Sequence, residues 1–322
     1  MAAGESEDIL KIESLSVELG GKIILDRVDI GVKEGEMLGV VGISGAGKTT
    51  LLNSMIGFYP LQNGDILYNS PRASRLVSIF NNLNSFKRLF GFSAQNPSFY
   101  PELSVIENLE YFANLYDLPD SIGKQNIKRA LEMVQLEGFN DMQAKNLSGG
   151  MKKRLDIACA IVHNPKILIL DEPTSDMDPM LRVQIWSLIE DINKSGTTII
   201  VASHFLSEIE YLCDRIVFLH GNKVDFIGTP KYFRNLYSKT KEIHIATKDR
   251  RYDLVLKKVM DIPFLEVKYV LKKKGRVVLH SSESENTITQ ALNKLLKTTS
   301  NISDIEIKSP SLDMLFRSFI EK

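Results

Sequence analysis

The sequence holds only two cysteines, Cys159 and Cys213, and one tryptophan among 322 residues. Two thiols exclude a disulfide-built scaffold and lack the spacing of a metal site, so reduced cysteines in a reducing compartment are the plain reading. Long hydrophobic runs are missing: none approaches the roughly 20 residues that span a bilayer. The longest, around Ile167–Leu170 and Thr198–Ala202, are strand-sized, so any membrane role needs spans from another subunit. Met1–Asp8 is small and acidic, without the basic start and apolar stretch of a signal peptide. Excess charge is absent too. The 40 Lys and Arg balance 40 Asp and Glu, which excludes a whole-protein electrostatic grip on nucleic acid. The balance is uneven, with about eight more basic than acidic residues after residue 230.

What is present is 43% hydrophobic and 25% charged residues, a globular composition, at a length that fits about two domains. Met37–Ile43 is an apolar run closing into a glycine-rich loop, and Lys48–Ile56 reads as a helix. Ile167–Leu170 and Thr198–Ala202 are branched apolar runs of the kind buried on both faces of a parallel sheet. Between Asn96 and Ile161 the pattern turns helical. Ser104, with Glu107 three residues on, predicts a capping box for a helix to Tyr116; Ile122–Gln135 and Gly149–Val162 are further helices. After Gly228-Thr229-Pro230 the order becomes strand Glu242–Thr247, helix Tyr252–Met260 and strands Leu265–Leu271 and Arg276–Ser281. Helix Thr287–Leu296, strand Ile302–Lys308 and helix Ser311–Ile320 follow. The order βαββαβ predicts a small ferredoxin-like domain.

Three motifs carry chemistry. Gly42-Ile-Ser44-Gly45-Ala46-Gly47-Lys48-Thr49-Thr50 follows a strand and opens a helix. A triphosphate needs inward N–H groups, hence glycines that accept positive φ and leave no Cβ in the way. Lys48 then reaches the outer phosphates, the Thr49 hydroxyl suits Mg²⁺, and the helix turns its positive end to the anion. Second, the strand Ile167–Leu170 ends in Asp171-Glu172: Asp171 suits Mg²⁺ through water, and Glu172 suits polarising the water that attacks the γ-phosphate. Third, Leu147-Ser148-Gly149-Gly150-Met151 opens a helix. Bare N–H groups, a hydroxyl and a helix dipole make a second anion-binding device. One chain cannot easily bring both devices to one nucleotide. The economical arrangement is a two-fold sandwich in which each tip meets the ATP held by a partner copy.

In this order the motifs resemble those of ATP-binding-cassette (ABC) ATPases, over about Ile9–Pro230. The resemblance implies an α/β P-loop NTPase cassette over residues 1–230, with a RecA-like core and an inserted helical subdomain at about 96–162. An accessory α+β domain would occupy 231–322. Within it, Gly42–Thr50 is the Walker A motif, Leu168–Glu172 the Walker B and Leu147–Met151 the family signature, so Ser148, Gly149 and Gly150 would bind nucleotide across a dimer. Gln95 matches the glutamine that links Mg²⁺ and water to the membrane subunit, His204 the switch histidine at the γ-phosphate, and Asp178 the aspartate at the dimer seam. The implied cofactors are ATP and Mg²⁺, the latter on Thr49, Gln95 and Asp171. The implied partners are a second cassette, in a homo- or heterodimer, and a transmembrane permease. No nucleic acid is expected, and the location is cytoplasmic, peripheral on the inner face of the cell membrane.

Departures accompany the matches. Leu19 stands where the family places an aromatic on adenine, giving apolar contact without a π-face. Asp176-Met177 adds a charge where the family has a small residue and leucine. The stretch between Asn69 and Gly91, with Arg72, Arg75, Lys87 and Arg88, reads as a solvated surface insertion. Gly-Gly-Met151 followed by Lys-Lys-Arg-Leu-Asp, and the tail Ser309-Pro-Ser-Leu312-Asp-Met-Leu-Phe316, resemble the drug-resistance-type exporters. So does Asn96–Val105, on the surface where that group docks its membrane subunit. The Lys272–Arg276 run reads as a charged hairpin tip, with anionic headgroups as the sharper alternative. A soluble ABC ATPase acting on nucleic acid or ribosomes is the alternative function; the fused cassettes or long coiled-coil inserts usual there are not present.

Overall fold

The computed structural model describes residues 8–70, 75–237, 241–248, 252–260, 262–271, 276–281, 283–298 and 302–308. Arg72, Lys272–Lys274, the Ser309–Phe316 tail and the helix expected at Ser311–Ile320 lie outside the described residues. The chain divides into two units, 1–229 and 230–322.

The first unit opens with β1 (Asp8–Leu19) and β2 (Lys22–Lys33). Their two-residue turn is Gly20-Gly21, with φ of 58° and 76°, the conformation that matches strand twist in a tight hairpin. Next come β3 (Met37–Gly42), α1 (Lys48–Met55), β4 (Asn63–Ser70), β5 (Arg75–Ser78), α2 (Leu83–Lys87) and β6 (Phe90–Ser93). The helical block holds α3 (Val105–Leu115), α4 (Asp120–Val134) and α5 (Gly149–Ile161). β7 (Ile167–Asp171), α6 (Pro179–Lys194), β8 (Thr198–Ala202), α7 (Leu206–Leu212), β9 (Arg215–His220) and β10 (Lys223–Gly228) complete it.

Six strands form the central sheet in the order β10-β9-β3-β8-β7-β6, parallel except for β10. Every residue of β3, β7 and β8 is buried, as unbroken apolar runs require in a sheet covered on both faces. Only β8 separates β3 from β7, so the loop after β3 and the Asp171-Glu172 pair that ends β7 meet at the carboxyl edge of the sheet, where α/β sheets bind ligands. A second, antiparallel sheet, β2-β1-β4-β5, shares one apolar core with the first. That sheet corrects the expectation of a solvated insertion between Asn69 and Gly91. Leu76 and Val77 pair with Asn69 and Tyr68, and Leu83, Phe86 and Leu89 pack against the core; scattered apolar residues gave no period from which to read this. In the helical block Ser104 and Glu107 form the expected capping box.

The second unit contains α8 (Pro230–Tyr237), β11 (Lys241–Thr247), α9 (Asp253–Val259), β12 (Glu266–Leu271), β13 (Arg276–Ser281), α10 (Glu285–Thr298) and β14 (Ile302–Lys308). Its antiparallel sheet runs β12-β13-β11-β14, the ferredoxin-like arrangement. Ile243, Ile245, Val277 and Leu279 share a core with Val255, Val259, Ile288 and Leu292 of the two helices.

Candidate functional site

A cavity of about 560 Å³ opens where the loop after β3 meets the ends of β7 and β8. Ile24, Ser44, Gly45, Gly47, Lys48, Thr49, Thr50, Gln95, Glu172 and His204 line it. The loop depends on glycine at two points. Gly45 has φ 81°; Gly47, the residue before α1, has φ 99°, and a Cβ there would crowd Leu25 at 3.0 Å and the Ile24 carbonyl at 3.1 Å. No side chain caps α1 and no acid lies in its first turn, so its N–H groups and dipole face the cavity, as anion binding needs. Lys48 Nζ donates to the Gly42 and Ile43 carbonyls at 2.9 and 3.4 Å. Burial pushes its pKa down, while Glu172 and Asp171 pull the other way.

Glu172 sits at φ 49°, uncommon for a side-chain-bearing residue, and its N–H donates to the Ala202 carbonyl. Its Oε2 pairs with His204 Nδ1 at 2.6 Å and accepts from the His204 N–H at 3.3 Å; Oε1 lies 3.9 Å from Lys48. With Nδ1 engaged, the other imidazole nitrogen is left for a ligand. Asp171 is 2% exposed. Burial raises its pKa, against the Thr49 hydroxyl, which lowers it. Asp171 Oδ1 is buried without a hydrogen-bond partner, and an orphaned carboxylate oxygen beside a hydroxyl is the donor chemistry a hard divalent cation takes. The residues fit Mg²⁺.

Other expected residues fall outside the cavity lining. Gly42 and Ala46 form the back of the loop. Leu19 at the end of β1 and Ile24 on β2 both pack against the core, and Ile24 also lines the cavity. Sequence reasoning passed over Ile24 because an aliphatic residue in a strand reads as core. Ser148 caps α5 through Met151 N–H, and it and Gly149 are exposed. Nothing stands within 4 Å of a Cβ built on Gly149, while Gly150 packs on Leu181. Asp178 caps α6, accepting from the N–H groups of Met180 and Leu181.

A further cluster ties the segment before α6 to the histidine. Arg182 donates to the Met177 carbonyl at 3.0 Å and lies 3.7 Å over the Phe205 ring, whose centroid is 4.0 Å from that of His204. Glu208 accepts from Thr174 and from Trp186 Nε1, and pairs with Arg182.

The sequence profile of the ABC transporter family matches residues 25–175. An uncharacterized ABC transporter ATP-binding protein of Bacillus subtilis, YdbJ, is 35% identical over 223 residues, 68% of each chain. The chain belongs to the ABC transporter ATP-binding proteins. It is the ATP-binding subunit of an ABC transporter and an ATPase coupled to transport. The linearmycin resistance ATP-binding protein LnrL of B. subtilis is 27% identical over 308 residues, covering 96% of this chain and 97% of its own. Among solved structures, cbiO1 of Clostridium perfringens, part of the transporter complex cbiONQ, superposes with a TM-score of 0.64 at 27% identity. That match covers 80% of this ABC protein and 96% of cbiO1. Among the described residues no helix is long and apolar enough to cross a membrane.

Proposed function

We propose that two cassettes close over two ATP molecules and drive an exporter, each copy placing its Ser148–Gly150 tip on the nucleotide held in its partner's cavity. The observation that carries this is the position of Ser148 and Gly149, exposed at the start of α5 and outside the lining that holds Lys48. Loop N–H groups, Lys48, Thr49 and Thr50 hold the phosphates; Ile24, in place of Leu19, gives the base an aliphatic contact. Glu172 polarises the attacking water, and His204 meets the γ-phosphate with the nitrogen that Glu172 leaves free. Thr49, Gln95 and Asp171 would hold Mg²⁺, which neutralises phosphate charge when bound. Asp178 sets the end of α6 near the seam.

Closure moves the Gln95 segment and, with it, the permease, which places the chain on the inner face of the cell membrane. A groove of about 480 Å³ beside that segment, walled by Phe90, Phe92 and Leu115 and edged by Lys87, Arg88 and Asp117, suits an amphipathic helix of the permease. Export is favoured by Gly-Gly-Met151 and by the LnrL match, which runs through both units.

Glu172→Gln should retain ATP, lose about 100-fold or more in turnover, and run as a dimer on size exclusion when ATP is added. Adding Ser148→Arg should abolish that dimer while leaving ATP bound. Undiminished turnover in the first variant, or an ATP-dependent dimer in the second, rejects the arrangement. With the co-purified permease, ATP-driven uptake by inside-out vesicles marks export; uptake by right-side-out cells reverses the direction.

A further inference from the structure

Behind the cavity, one carboxylate holds both ends of the segment that carries Gln95. Asp156, on α5 and 1% exposed, accepts from Ser93 Oγ at 2.5 Å through Oδ2 and from the Ser98 N–H at 2.9 Å through Oδ1. Lys153, one turn earlier and also buried, stands 3.2 Å from Oδ2 and donates to Ser93 Oγ and the Ala94 carbonyl at 2.9 and 3.2 Å. Residues 93–98 are thus a closed loop pinned at both ends to one side chain, with Gln95 exposed on the cavity rim. The pins come from the helix whose first turn is the Ser148–Gly150 tip, about 10 Å of helical rise away.

Desolvating two charges costs several kcal/mol each, and well-packed apolar residues commonly do as well for stability. What this pair supplies, and apolar residues would not, is directional acceptors and donors for three groups of the loop, Ser93 Oγ, the Ala94 carbonyl and the Ser98 N–H. We propose that Lys153 and Asp156 are positioning residues that lock the Gln95 segment to the signature helix, so that Gln95 is held at a set place between the end of β6 and the tip. The proposal rests on the role assigned to Gln95 and adds the device that sets its place.

A double-mutant cycle on the full chain tests it, with Asp156→Asn, Gln95→Ala and their combination. The readouts are kcat and the Mg²⁺ concentration for half-maximal ATPase. Asp156→Asn should lower kcat about tenfold and raise the Mg²⁺ requirement, yet change either by less than about twofold once Gln95 is already alanine, as coupled sites do. Multiplying effects overturn the proposal while leaving Gln95 its role. Wild-type kinetics in Gln95→Ala remove the role itself, and the proposal with it. Because Asp156→Asn strands a buried lysine, Lys153→Met/Asp156→Leu serves as the folding-neutral variant. With an unchanged near-UV spectrum and thermal midpoint, it should show the same loss; wild-type turnover and Mg²⁺ dependence there refute the lock.

Discussion

Protonating His163 should loosen the helical block from the central sheet. The residue follows α5 and is 9% exposed. Its Nε2–H donates to the Phe90 carbonyl of β6 at 3.0 Å, and its ring stacks 3.5 Å from Tyr116 at the end of α3. Nδ1 is buried without a hydrogen-bond partner, so a second proton would sit there as an unsolvated charge. Burial accordingly lowers the pKa from 6.5 to about 4. Between those values the unfolded chain binds a proton that the folded chain refuses, so stability falls as pH falls. The contribution is whole above pH 6.5 and gone near pH 4. From pH 7.5 to 5 this one group should remove about 2 kcal/mol, or roughly 4–8 °C of melting temperature for a unit of this size. The assay is urea denaturation followed by Trp186 fluorescence at several pH values, for the wild type and His163→Phe. The variant should be weaker at pH 7.5 by about 1–3 kcal/mol, for the stranded Phe90 carbonyl, and its pH dependence should be shallower by about 2 kcal/mol. Parallel profiles for the two proteins would refute the reasoning, since other carboxylates and histidines contribute equally to both.

Gly47→Ala forces a Cβ to 3.0 Å from Leu25 at φ 99°; stability should fall by about 1–3 kcal/mol and the affinity for a fluorescent ATP analogue should collapse, and wild-type affinity contradicts the loop geometry. Ser104→Ala removes the capping box of α3 and should cost about 1 kcal/mol in denaturant midpoint analysis. Glu208→Leu strips Thr174, Trp186 and Arg182 of one shared acceptor. It should shift the emission of the single tryptophan and slow ATPase turnover; an unmoved spectrum rejects the cluster as drawn.

Local signals were the legible ones. β3, β7 and β8 are unbroken apolar runs, and a strand buried on both faces has no other way to look; the Ser104–Glu107 box is complete within four residues. The phosphate loop and the Asp171-Glu172 pair were readable for the same reason, because their chemistry demands particular residue types at fixed spacing. What stayed hidden depends on distant partners. Nothing local marks Lys153 as buried; that depends on Asp156 and on Ser93, which lies sixty-three residues before Asp156 in sequence. The Asn69–Gly91 stretch mixes polar and apolar residues because one strand lies at a sheet edge and one short helix offers only part of its surface to the core. Leu19 and Ile24 flank the Gly20-Gly21 hairpin, and only the folded chain shows that Ile24 lines the cavity.

Strand pairing in the second unit sets Glu242 opposite Lys308, so the chain enters and leaves that sheet about 5 Å apart. A module whose doorway and exit adjoin can be grown, exchanged or shed without stretching anything around it. Among the described residues, the apolar core of this unit and that of the first have no member in common. The ferredoxin-like piece therefore draws its whole sheet and core from one continuous stretch of chain.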